Sequence, residues 1–430
     1  MKHLGQSECS LASMAICLGL ILSVSSCSST DAPSGAGASA GSAGAPSAGS
    51  GPAAAAGSAG SAGISGTSAG GSAGATSSTG GSSGANGGTA GSAGQATVGE
   101  CTPPPIDAPI EKLSLTGCMS PTDVTKFAER VVPYEVNSPL WSDSAAKQRG
   151  FVIPAGKKIH IKDCAAKPSE CLDAADTGKW VFPVGAVLLK NFLFNNKIVE
   201  TRMFVRHDEQ TWVGYSYQWD AAQKDATVLP DERRHVMVDG GSGTMVPWSY
   251  PNRVDCMKCH NAAGGFTLGP ETRQMNVMVG ATNQMDTFKA KDVFDTPPSA
   301  PYQTALIDPL ASTPTDDAAL DKAARSYLHG NCAYCHRPDN GDLGAVAFDL
   351  RFDTLLKDTK VCNSPPVKGD QGVPDSKLLV PNNPAKSVAY LRMNTLDDPG
   401  RMPQIGTYEI HAPAVKLIGD WITSIKSCPQ

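Results

Sequence analysis

Two pentapeptides constrain this chain more than anything else in it: Cys256-Met257-Lys258-Cys259-His260 and Cys332-Ala333-Tyr334-Cys335-His336. Two thiols three residues apart occupy one helical turn, so each can form a thioether to a vinyl group of one porphyrin. The histidine that follows then sits beneath the metal. A chain with 13 cysteines can hold one such pentapeptide by chance. Two, each completed by its histidine, imply two covalently bound haem c groups with His260 and His336 as proximal iron ligands. The competing reading is a zinc ion held by Cys256, Cys259, Cys332 and Cys335 as two C-x-x-C pairs. Zinc has no use for a histidine directly after both pairs, and the pairs stand much further apart than in a compact ribbon. A thioredoxin-type dithiol fits less well, since neither pair lies in a βαβ pattern.

The N-terminal residues set the compartment in which those cysteines are read. A weakly basic start, Met1-Lys2-His3, precedes an apolar run from Leu11 to Leu22 that is too short to span a bilayer as a mature helix. It reads as a signal peptide. Val24-Ser25-Ser26-Cys27 then resembles the lipobox of bacterial lipoproteins, which implies lipid at Cys27 and, with Ser28 following, sorting to the outer membrane. The alternative is an ordinary signal peptide cut nearby, with Cys27 an odd thiol. Export agrees with haem attachment and with structural disulfides. Setting aside Cys9, Cys17, Cys27 and the four pentapeptide cysteines leaves Cys101, Cys118, Cys164, Cys171, Cys362 and Cys428. Six cysteines allow fifteen pairings. Nearness in sequence favours 101 with 118, 164 with 171, and 362 with 428. The net charge of −5 gives no basic face for a nucleic acid, so none is expected as a partner.

From Ala32 to Gly99 there is no charged or aromatic residue, and nearly every position is Gly, Ala, Ser, Thr or Pro. Such a segment cannot bury enough apolar surface to offset chain entropy, so a disordered tether is expected. Roughly 70 flexible residues reach about 45 Å. The folded part then begins near Glu100. Gly150–Ile161, Trp180–Phe194, Ile198–Arg206 and Thr211–Trp219 carry β-branched and aromatic residues in period-two runs, with Asn195-Asn196 as a tight turn. Pro121–Val132 reads as the one helix of this half, ended by Pro133.

Beyond a proline-rich connector the period becomes helical. Asp316-Asp317 caps a helix through Leu320, Ala323, Ala324 and Tyr327 to His329, with Gly330 as its stop signal. His329 reads as a surface residue of that helix end. From Pro413 to Lys426, Val415, Ile418, Trp421, Ile422 and Ile425 form one apolar stripe, with Trp421 read as core.

A helix leading into C-x-x-C-H and a closing amphipathic helix with Trp421 resemble the class I cytochrome c fold, in which those two helices cross. The resemblance implies a methionine as sixth iron ligand from a Met-Pro segment, here Met402 of Arg401-Met402-Pro403. Met393 reads as core instead. For the first haem no sixth ligand is evident: Met237, Met245, Met275, Met278, His207 and His235 all read as structural. An open iron there would make His207, Glu200 and Arg202 acid/base and charge-stabilising candidates, although the three also read as solvent-facing strand residues.

The longer stretches Leu113–Gly117, Pro133–Asp143, Phe182–Gly185, Glu200–Arg202 and Gly330–Cys332 make the folded part similar to a bacterial family of diheme c-type cytochromes whose reaction is not assigned. The resemblance implies electron transfer with redox partner proteins, an envelope dehydrogenase or further cytochromes, and carries over no catalytic residue. The expected fold is α+β multidomain: 1–27 a lipoprotein signal peptide and lipobox, 28–99 a disordered Gly/Ser/Ala-rich linker, 100–284 a β-rich domain ending in the first haem site, 285–315 a connector, and 316–430 an all-α cytochrome c-like domain. The expected function is a diheme c-type cytochrome of the cell envelope, a carrier more than a catalyst, membrane-bound through lipid at Cys27. The alternative is a haem oxidoreductase, peroxidase-like or akin to a β-rich catalytic cytochrome group, with chemistry at the first haem. A surface-binding module stapled by haem is a third reading.

Overall fold

The computed structural model describes residues 100–241, 243–338 and 348–429. The expected signal peptide, the lipid site at Cys27 and the linker lie outside the described residues. A sheet-rich region comes first, built of antiparallel sheets, and a few helices follow.

The largest sheet has the order β1-β2-β5-β6-β7-β8, from β1 (Val132–Pro133), β2 (Ala146–Val152), β5 (Val187–Phe194), β6 (Lys197–Arg206), β7 (Trp212–Trp219) and β8 (Ala226–Val228). Between β2 and β5 a short ladder joins β3 (His160–Ile161) to β4 (Trp180–Val181). The expected run 150–161 is thus broken by Pro154 and Gly156, and the run 180–194 by Pro183 and Gly185, where the ladder loses its donor or turns. Asn195 and Asn196 take φ of 46° and 66°, the left-handed pair that a two-residue hairpin turn requires. A hairpin of β9 (Arg234–Asp239) and β10 (Met245–Tyr250) completes this region.

Period-two alternation gives the large sheet two different faces. On one, Val187, Leu189, Met203, Val205, Val213, Tyr215 and Tyr217 pack beneath Leu113 and the Cys101–Cys118 disulfide. The opposite face is layered across the strands. Phe151, Leu188, Phe204 and Gly214 are successive cross-strand partners; beside them runs Arg149, Lys190, Arg202 and Ser216, and then Lys147, Phe192, Glu200 and Gln218. The aromatic layer is covered by Trp180, Phe182, Phe288 and Phe294, while Trp248 and Tyr250 of the hairpin cover Phe192 and Phe194.

Helix α1 (Arg253–Cys259) follows β10, then come α2 (Thr272–Met275), the ladder of β11 (Met278–Val279) with β12 (Thr282–Asn283), and α3 (Gln284–Ala290). The stretch read as a connector therefore opens with a helix whose Met285 and Phe288 are buried in the aromatic core of the sheet. Helix α4 (Asp317–Asn331) starts where expected, with the Asp316 carboxylate accepting from the Ala319 amide at 2.8 Å. Helices α5 (Val388–Met393) and α6 (Ala412–Ser424) finish the chain. Ala323, Ala324, Tyr327 and Leu328 of α4 pack on Leu417, Ile418, Trp421 and Ile422 of α6, so Trp421 is core. Its Nε1 also donates to Asp321 at 2.8 Å. Long loops surround these three helices, and the Cys362–Cys428 disulfide ties the end of the chain to them. Cys164–Cys171 is the third bond, so all three disulfides join the cysteines that nearness in sequence favours.

Three expectations are corrected. Residues 121–132 form turns rather than a helix: Asp123 accepts from the Thr125 amide and hydroxyl, and the Cys118 carbonyl takes the Ala128 amide. Short polar side chains thereby offer the backbone a better partner than the next helical turn. Gly330 does not stop α4, which continues to Asn331; a Cβ on it would stand 2.5 Å from the Ser138 carbonyl oxygen, so it is glycine because two segments touch there. His329 is buried, not on the surface, and its Nε2 meets Glu271 Oε1 at 2.6 Å. No described helix is long and apolar enough to cross a membrane.

Candidate functional site

The two pentapeptides, separated by some seventy residues of chain, fold against each other. Cys259 Sγ and Cys335 Sγ stand 3.7 Å apart. The Lys258 carbonyl lies 3.8 Å from Cys335 Sγ. None of Cys256, Cys259, Cys332 and Cys335 takes part in a disulfide.

Helix α1 positions the first pentapeptide. Asn252 caps it, accepting from the Asp255 amide at 2.8 Å, and Asp255 pairs with Arg233 and, at 2.9 Å, with Lys258. Cys256 and Cys259 then share one turn, and the His260 amide closes it on the Cys256 carbonyl at 3.0 Å. Cys256 rests on the sheet at Gly214, where a Cβ would stand 2.9 Å from its sulfur. The His260 ring lies 4.3 Å from Phe204, and its Nδ1 donates to the Phe266 carbonyl at 2.5 Å. That bond commits the other nitrogen, Nε2, to be a lone-pair donor, the arrangement in which a histidine serves as metal ligand. Burial holds the His260 ring down at about 4, with Lys190 and Arg202 adding to the effect, so the ring is neutral at pH 7.

The second pentapeptide continues the end of α4. The Cys332 amide bonds the Leu328 carbonyl at 2.8 Å, and the His336 amide bonds the Cys332 carbonyl at 2.9 Å. The His336 ring stacks on Phe348 at 4.5 Å, and burial holds it at about 4. Its Nδ1 is buried and has no partner among the described residues. Burial pushes the Cys256 thiol up to about 11 and Cys332 to about 12. Where the two sulfurs meet, their shared hydrogen bond raises Cys259 and lowers Cys335.

This donor set fits covalent haem: two thiols on a turn, a neutral imidazole after them, an oriented tautomer at His260 and a glycine cleared beneath Cys256. A four-thiolate zinc site needs the sulfurs around one point. Among the described residues no three His, Cys, Asp or Glu side chains converge in that way.

The other candidates scatter. Met402 is half-buried in the loop between α5 and α6, its amide bonded to the Arg392 carbonyl at 2.8 Å. Met393 packs on the core of α4 and α6, as read from the sequence, and Met275 is fully buried in the aromatic core. Met237, Met245 and Met278 are exposed. His207 bonds the Tyr215 hydroxyl at 3.0 Å, and His235 packs edge-on to Tyr408. Glu200 and Arg202 are not solvent-facing strand residues: Glu200 is wholly buried and binds Arg202 through both oxygens, at 2.8 and 2.9 Å. Their side chains share the sheet face on which Cys256 rests, because alternation puts Glu200, Arg202 and Phe204 on one side.

Sequence reasoning missed Gly214, Phe204, Phe266 and Phe348, which touch the pentapeptides from distant strands and loops. It also missed Arg149 and Lys190, the cross-strand neighbours of the candidate Arg202. For Lys190 the signal was present, a cation in the middle of the largely apolar run of β5. Polar clasps hold the two pentapeptide segments together. His329 on α4 meets Glu271, Arg337 Nη1 donates to the Ala263 carbonyl at 2.5 Å, and Lys179 Nζ donates to the same oxygen at 2.9 Å. Arg351 binds Asp173 at 2.5 Å and Asp349 at 2.7 Å. No protein-family model, curated protein or solved structure matches the chain.

Proposed function

We propose that this chain is a diheme c-type cytochrome that carries electrons in the cell envelope, held to a membrane by lipid at Cys27. The observation that carries the reading is the 3.7 Å contact between Cys259 and Cys335, one cysteine from each attachment pentapeptide. Two attachment sites in contact suit a relay, which needs its centres close, and the histidine directly after each C-x-x-C pair, for which zinc has no use, supports haem over zinc. Bound haem supplies a one-electron couple at each site.

The chain's own residues do the rest. Cys256 and Cys259 hold one group and Cys332 and Cys335 the other. His260 and His336 would offer neutral imidazoles to the two irons, and Met402 would be a further ligand to the second. Packing of α4 on α6 supports the finer reading of residues 316–430 as a class I cytochrome c-like domain, and the resemblance to the diheme family of unassigned reaction stands with it. The partners are envelope redox proteins, a dehydrogenase or other cytochromes. Catalysis at the first site finds its acid/base candidates engaged, Glu200 with Arg202 and His207 with Tyr215.

Mass measurement and optical redox titration of the full chain from an exporting host test this. Two covalently added tetrapyrroles and two low-spin couples, indifferent to carbon monoxide, are expected. Cys256→Ala with Cys259→Ala should remove one haem only. Met402→Ala should lower the midpoint of one haem and leave the other. Zinc, or no tetrapyrrole, overturns the reading; carbon monoxide binding at the haem of His260 moves it to the oxidoreductase alternative.

A further inference from the structure

Residues 137–143 run from β1 toward β2 without forming a strand of their own, and their hydrogen bonds go to the helices instead. The Ser138 amide is held by the Gln274 side chain of α2 at 2.8 Å. Its hydroxyl donates to the Ser326 carbonyl of α4 at 2.7 Å, and the Trp141 amide donates to the Asn331 side chain at 2.8 Å, one residue before Cys332. The strap then reaches the loop between α5 and α6. The Trp141 ring stacks on His411 at 4.6 Å and 5°, and His411 Nδ1 meets the Tyr327 hydroxyl of α4 at 3.1 Å. Asp143 is 4 % exposed and turns its carboxylate to the same loop. Oδ1 and Oδ2 accept from the Tyr408 amide at 2.9 and 2.8 Å, and Oδ1 also accepts from the Glu409 amide at 3.0 Å.

Amide bonds to a carboxylate are charge-assisted, and taking that acceptor away leaves two loop amides without their partner. The loop has little else to fix it. Arg401 Nη2 donates to Thr407 Oγ1 at 2.7 Å within the loop, and the Met402 amide bonds the Arg392 carbonyl of α5. Tyr390 and Met393 of α5 pack in the same core as Cys332. One strap from the sheet-rich region therefore grips both the end of α4, which leads into Cys332, and the loop that bears Met402. A metal held by His336 on one side and by Met402 on the other needs those two parts at a fixed separation. We infer that residues 137–143 position the second haem site, and that Asp143 is the residue through which they hold the loop of Met402. Asp143 touches no ligand and acts through the loop amides. The inference rests on the reading of Met402 as an iron ligand.

The full chain, its haem content first checked by mass, is compared with Asp143→Gly, Asp143→Asn and Met402→Ala by redox titration, carbon monoxide binding to the reduced form, and thermal unfolding. Asp143 has φ of 45°, which glycine and asparagine both tolerate, so neither substitution strains the backbone. Asparagine keeps an oxygen at the Oδ1 position, where both amides bond. Asp143→Gly should lower the same midpoint that Met402→Ala lowers, leave the other in place, and let carbon monoxide bind that haem alone. Asp143→Asn should stay near the wild type in both readouts. A lower Tm in Asp143→Gly with both midpoints unmoved and no carbon monoxide bound overturns the inference, because the strap then stabilises without positioning. Two midpoints that shift together overturn it as well, as a general loosening. If Met402→Ala moves neither midpoint, or mass shows no tetrapyrrole, the ligand reading itself fails and the inference falls with it; both results come from chains in which Asp143 is intact, so the two failures are told apart. Should Asp143→Gly not accumulate, Trp141→Leu, which removes the stack on His411, carries the same comparison.

Discussion

Gly214 has no side chain because the Cys256 sulfur occupies the place of one, and its strand φ shows that the reason is space rather than turn geometry. A methyl group at 2.9 Å must push Sγ off its position. If both pentapeptides carry haem as proposed, Gly214→Ala should yield chains with one haem in place of two, while Gly269→Ala, whose Cβ meets only Val136 Cγ1 at 3.6 Å, keeps both. Haem absorbance per mole of chain checks this. The Glu271 carboxyl is a second residue-scale case. Burial pushes it up, but the His329 ring, Arg273 and Arg337 outweigh burial and hold it at about 2, against 4.5 for the free group. A depressed folded pKa adds stability above the free value and loses it as pH falls through the folded one. The window is therefore about pH 4.5 down to about 2, and the contribution is on the order of 3 kcal/mol. Tm against pH should fall through this window, and Glu271→Gln should flatten that part of the curve. Neither residue was legible as a site residue, since a glycine in a strand and a glutamate before a short helix have no local pattern that names their partners.

At the scale of elements, α4 and α6 were readable because an apolar stripe at helical spacing and an aspartate cap are local signals. Their packing on each other is what Trp421 secures, buried to 3 % exposure with its indole nitrogen on Asp321. Truncating so large a buried side chain costs about 3–5 kcal/mol, and Trp421→Ala should show that loss in denaturant unfolding. Cys362–Cys428 closes a loop of 66 residues over the same helices. Chain-entropy arguments put its contribution at about 4 kcal/mol, so the double alanine variant should lose a comparable amount. The helix at 121–132 was misread for a reason that is also local: Asp123, Thr125 and Ser120 form their own turn bonds, which spacing alone does not reveal.

At the scale of the whole molecule, a seam of charges joins the sheet to the helical segment. Arg351 is 6 % exposed and binds Asp173 from one side of the seam and Asp349 from the other; Arg273 pairs with Asp353 across it as well. Removing one partner of such a buried cluster typically costs 3–5 kcal/mol, because the remaining charges are left without compensation. Arg351→Ala should therefore destabilise the protein by about that much. If both pentapeptides carry haem as proposed and the seam positions them, Arg351→Ala should also slow electron equilibration between the two haems, read by flash reduction. If unfolding weakens while equilibration keeps its rate, the seam stabilises without positioning.

The pentapeptides, the period-two alternation of the strands, the aspartate cap of α4 and the apolar stripe of α6 are properties of short stretches, so the order of residues alone determined them; for the cysteines it favoured one pairing among fifteen. Which strand lies beneath Cys256, which carbonyl orients His260, why Gly330 has no side chain, and that two pentapeptides far apart in the chain bring their sulfurs to 3.7 Å were decided only by the tertiary structure. The physical reason is that a thiol, an imidazole or an ammonium shows its chemistry locally. Its distance to a partner depends instead on loops and sheet register whose outcome is a sum over the whole packed chain.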